Sequence, residues 1–65
     1  MNYREKFLRV KELKRKLAET DYKAIKWAEG ELTAEEYAET KAMRKAWRDE
    51  INVLEKQLKE LNYGA

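Results

Sequence analysis

Ahead of Gly64, this 65-residue chain has a single glycine, Gly30, and it contains no proline. These two residue types make most abrupt changes of backbone direction, so a chain otherwise made of helix formers has one evident place to reverse. That place is 30–33. A helix arriving from the N-terminal side can end with Gly30 in the left-handed conformation that a residue without Cβ accepts. On the other side, Thr33-Ala34-Glu35-Glu36 is a capping box: the Thr33 hydroxyl accepts from the Glu36 amide, and the Glu36 carboxylate accepts from the Thr33 amide. Leu32 and Tyr37 are spaced as a hydrophobic staple. Glu35, Glu36 and Glu39 suit the positive end of a helix dipole.

From Tyr37 onward, steps of three and four pick out Tyr37, Thr40, Arg44, Trp47, Ile51, Leu54, Leu58 and Leu61, a heptad seam with two polar members. Upstream, Tyr3, Phe7, Val10, Leu13, Leu17, Ala24, Ile25 and Ala28 share one side of a helical wheel, interrupted by Lys14 and Asp21. The spacing predicts an all-α, coiled-coil-like antiparallel hairpin with helices over about 2–29 and about 34–62 and a turn at 30–33, each helix about 40 Å long. Thr20-Asp21 could instead cap a new helix and break the first one.

Folding about this turn sets Val10 against Ile51, Phe7 against Leu54 and Tyr3 against Leu58, a greasy, well-matched open end. The same alignment sets Lys14 against Trp47. Near the middle it brings Asp21, Thr40 and Arg44 into one polar layer of the kind that specifies helix register at a cost in stability. Ala34, Ala38, Ala42 and Ala46 recur every four residues on another face of the second helix. With Leu8, Tyr22 and Trp27 they leave more apolar surface in water than a monomer of this size comfortably carries. A partner helix is therefore expected. A second copy completing a four-helix bundle is the simplest choice, with Tyr22, Trp27, Ala38, Ala42 and Ala46 as candidate contacts.

The residues that are missing exclude much chemistry. Without Cys, His or Ser the chain has no thiol nucleophile, imidazole base, serine triad, disulfide or zinc site of the usual ligand set, so no catalytic residue, metal site or cofactor is expected. The carboxylates around the turn (Glu29, Glu31, Glu35, Glu36 and Glu39) follow no calcium-loop pattern. No run of apolar residues is long enough to span a bilayer, and a cytoplasmic or virion-associated protein is expected. Fifteen Lys+Arg against thirteen Asp+Glu leave +2, too little to imply a polyanion partner from charge alone. The basic first helix, with Arg4, Arg9, Lys11, Arg15 and Lys16 as possible phosphate contacts, is the basis for a competing reading as a small nucleic-acid-binding or host-directed regulatory protein.

The stretch from Thr20-Asp21-Tyr22-Lys23-Ala24-Ile25-Lys26 through Glu29-Gly30-Glu31-Leu32-Thr33, followed by Trp47-Arg48-Asp49-Glu50-Ile51-Asn52, resembles small tail-associated helical-hairpin proteins of phages and prophages in Gram-positive bacteria. The resemblance covers about half the chain. It implies a virion-associated or assembly-related helical module, with a phage structural protein as a possible partner beside the second copy expected from the alanine ridge, and it assigns no catalytic residue.

Overall fold

The computed structural model describes residues 2–64, and the side chains of 2–60. Two helices, α1 (Tyr3–Ala28) and α2 (Ala34–Gly64), pack side by side as an antiparallel hairpin measuring 48 × 17 × 15 Å. The first helix begins at Asn2, whose side-chain oxygen accepts from the Glu5 amide at 2.8 Å. It runs on through Thr20-Asp21 without a break, because the Thr20 hydroxyl turns back to the carbonyls of Lys16 and Leu17 instead of capping a new helix.

The turn is built as its residues require. The Gly30 and Glu31 amides donate to the carbonyls of Trp27 and Lys26, which closes the C-terminal end of α1. Gly30 sits at φ +80°, where a Cβ would be strained even though nothing crowds the position. Thr33 and Glu36 bond reciprocally, Thr33 N to Glu36 Oε1 at 2.9 Å and Glu36 N to Thr33 Oγ1 at 3.1 Å. Both bonds favour the ionised carboxylate and hold Glu36 below its ordinary value, the bond from the Thr33 backbone being the larger cause.

A group whose folded-state pKa is depressed contributes stability above its unfolded pKa and loses it as pH falls through the folded value. The advantage of the native chain over Glu36→Gln is accordingly expected to be larger at about pH 7 than at about pH 3. Thermal melts of the two proteins at both pH values test this. An equal gap at both would show that the charge contributes nothing to the cap.

The core is one seam wide. Val10 and Leu13 from α1 meet Ile51, Leu54 and Leu58 from α2, flanked by partly buried Leu17 and Trp47; among the described residues Leu13 alone is sealed from solvent completely. Each such side chain stabilises the hairpin by about 1.5–3 kcal/mol through removal from water. Leu61 lies outside the residues whose side chains are described.

The expected pairing departs from the structure in three places. Tyr3 and Phe7 are half-exposed, so the open end is not closed over by them. From Phe7 to Val10 to Leu13 the chain takes two consecutive steps of three, each rotating about 60° short of a full turn, and Phe7 drifts off the seam. Ile25 is exposed because it stands one position, about 100°, beyond Ala24 on the wheel. Lys14 does not cover Trp47: it reaches across to Glu55 at 2.9 Å, and the amine of Lys16 lies 5.8 Å from the Trp47 ring instead. Lys14 and Lys16 lie on opposite edges of the seam, and only the Lys16 edge carries the indole.

Candidate interaction surface

The polar layer is organised by Arg44, the most buried cation among the ion pairs of the described residues, with its side chain 12 % exposed. One guanidinium nitrogen donates to the Leu17 carbonyl at 2.8 Å and to Thr20 Oγ1 at 2.7 Å; the other reaches Asp21 Oδ1 at 3.0 Å. Three groups on α1 are thus pinned by one side chain on α2. The expected membership of this layer needs correction. Thr40 is buried and Arg44 meets Asp21, but the Asp21 side chain is 58 % exposed and stands at the rim, and the hydroxyl that Arg44 bonds is that of Thr20. Asp21 is one position, about 100°, past Thr20, which faces the partner helix.

The cations of the first helix are largely engaged. Arg9 grips Glu50 through two nitrogens at 2.8 and 3.2 Å and also reaches Glu12. The Arg9 hydrogen bond is the main cause that holds Glu50 below its ordinary value, and the same contact raises Arg9. Arg15 pairs with Glu19 at 2.6 Å and Lys16 with Glu12 at 3.7 Å. Lys11 lies over the Phe7 ring at 5.6 Å, and Arg4 is exposed. Such neutralised cations leave a weak field for a phosphate chain.

At the turn end, Trp27 stacks on Tyr37 with ring centroids 5.3 Å apart and planes inclined by 18°. Tyr37 is buried, Trp27 remains 40 % exposed, and the Lys41 amine sits 5.2 Å from the Trp27 ring centre. Next to this stack, Ala38 and Ala42 join Trp27, Tyr37 and Lys41 around a hollow of about 390 Å³. Ala46 is exposed farther along the same helix, outside that hollow. Tyr22 is exposed beside Lys26 and does not line it either. The candidate contacts therefore divide: Trp27, Ala38 and Ala42 share one hollow, and Tyr22 and Ala46 stand apart from it.

A trough along the hairpin was not anticipated from the sequence. Lys14, Leu17, Arg48 and Ile51 line one stretch, which continues past Lys14 toward Phe7, Val10 and Leu58. Lys45 and Arg48 also border the Trp27 hollow, so the three depressions run into one another. The floor is apolar and the rims are mostly cationic. A signal was present in Lys11, Lys14, Lys45 and Arg48, but it emerges only when the wheels of both helices are laid side by side.

Among the described residues, no cluster of Cys, His, Asp and Glu could hold a metal ion, and no helix is long and apolar enough to cross a membrane. Compared with protein-family models, with curated proteins and with solved structures, the chain matches none.

Proposed function

We propose that this chain is a non-enzymatic structural module that acts by helix packing, associating with itself through the outer face of α2 and, in the setting that the sequence resemblance implies, with a structural protein of a phage tail or virion. The supporting observation is the apolar surface that the hairpin leaves in water. Leu8, Tyr22, Ile25, Trp27, Met43 and Val53 are all at least 38 % exposed around a core only one seam wide. A single core in a chain this short rarely supplies more than about 3–5 kcal/mol, so burial against another helix is a substantial addition. Ala38, Ala42 and Ala46 are exposed and small, which allows close approach of a second helix backbone. The alternative, nucleic-acid binding through α1, is the less favoured reading because Arg9, Arg15 and Lys16 are already paired with carboxylates.

Sedimentation equilibrium at micromolar concentration is the direct test of self-association. A species of at least twice the 7.8 kDa chain mass is expected, together with return to the chain mass in Ala42→Glu. A native monomer with a cooperative melt independent of concentration would sink the self-association.

A further inference from the structure

We infer that the trough between α1 and α2 is a docking groove for an acidic amphipathic helix of another protein, which would complete a three-helix bundle; the inference rests on the helix-packing reading above. The floor is apolar: the edges of the buried seam residues Val10, Ile51 and Leu58, the partly buried Leu17, and Phe7, which is 47 % exposed at one end. Two packed helices present a groove whose shape suits the side-chain ridge of a third. From Phe7 to Leu17 the groove follows about 15 Å of helix, so it holds about 10 residues of an occupant helix.

Charge identifies the partner. The two edges of the seam differ in how their cations are engaged. On one edge Arg9 is held by Glu50 and Glu12, and Lys16 by Glu12. The groove lies on the other edge, where Lys14 and Lys45 have one carboxylate each, and Lys11 and Arg48 have no ion pair among the described residues. Cations flanking an apolar floor match a helix with a leucine-type stripe bordered by Glu or Asp. A second copy laid face to face in this groove would set Lys11 and Lys14 against a second set of cations, which opposes it. A nucleic-acid backbone would leave the half-exposed Phe7 at the end of the groove without an apolar partner.

The test uses a fluorescent synthetic peptide of three heptads with Leu at the seam positions and Glu on both flanks, a twin peptide with Lys in place of Glu, and a single-stranded oligonucleotide. The full-length chain is expected to bind the Glu peptide one to one, with amide shift changes along 7–17 and 48–58, and to bind the Lys peptide about tenfold more weakly. Lys11→Glu/Arg48→Glu should reverse that preference while keeping its helical circular dichroism. Phe7→Ala, altered outside the buried seam, should weaken both peptides and serves as a second check if the charge variant unfolds. Equal affinity for the two peptides, shift changes confined to the outer face of α2, or tighter binding of the oligonucleotide at the same residues would overturn the groove assignment. The mass of the chain without peptide is read in the same samples. Lost peptide binding with self-association intact removes the groove alone, whereas a chain that stays monomeric and binds the peptide removes only the self-association.

Discussion

Leu13→Ala is expected to lower the unfolding free energy by about 2–5 kcal/mol, the range for a large-to-small change at a sealed site. Among the described residues Leu13 is the one side chain with no exposed surface, and it packs with Val10 and the α2 residues of the seam. In a fold one seam wide, the cavity left behind cannot be closed from a second layer. Because a single core in a chain this short rarely supplies more than about 3–5 kcal/mol net, the loss is a large part of the margin that holds the fold. Leu8→Ala, which removes the same side chain from a position 52 % exposed, should change stability by less than about 0.5 kcal/mol. Urea unfolding followed by circular dichroism compares the two, and a loss below about 1 kcal/mol for Leu13→Ala would show that Leu13 is not the centre of the core.

The second large effect concerns Arg44, where two substitutions should act in opposite directions. Arg44→Ala removes hydrogen bonds from a charged donor to the Leu17 carbonyl, Thr20 and Asp21, and should cost about 1.5–3 kcal/mol. Arg44→Leu fills much of the same space with apolar surface, and replacement of a buried ionic group in this way is often neutral or stabilising. The groups it abandons are provided for. The Asp21 side chain is more than half exposed and returns to water, and the Thr20 hydroxyl keeps its bonds to the Lys16 and Leu17 carbonyls. The Leu variant should therefore melt at or above the temperature of the native chain but hold its helix register less uniquely, seen as mixed association states in sedimentation. If Leu lowers stability as much as Ala does, the value of Arg44 lies in its charge and not in its volume.

The hairpin was legible because each of its signals is local. Gly30, the Thr33–Glu36 box and the steps from Trp47 to Leu58 depend on residues within a turn or two of one another, and the structure retains all of them. The Asn2 cap belongs to the same class: an Asn followed three residues later by Glu5 was a readable signal. What escaped was the side-chain choice between neighbours. Thr20 and Asp21 both lie near the middle of α1, and which one enters the layer depends on about 100° of helix rotation. Likewise Lys14 and Lys16 are each long enough to reach across, and the carboxylate of Glu55 decides where Lys14 goes. For the candidate surface, the exposed alanines and Trp27 could be read from the wheel. The cationic rims of the trough could not, since they come from two helices read in opposite directions.

The Trp27–Tyr37 stack also bears on the order in which the chain assembles. Those rings meet across the turn, so bringing them together closes only a short loop, whereas Arg9 with Glu50 and Lys14 with Glu55 each join residues 41 apart. Loop-closure entropy rises with separation, by about 0.6 kcal/mol for each doubling, and each ladder rung formed shortens the loop that the next must close. Loop-closure entropy taken by itself therefore favours contacts that form from the aromatic clasp toward the free ends. Contacts around Phe7, the farthest from the turn, carry the largest closure cost on that count.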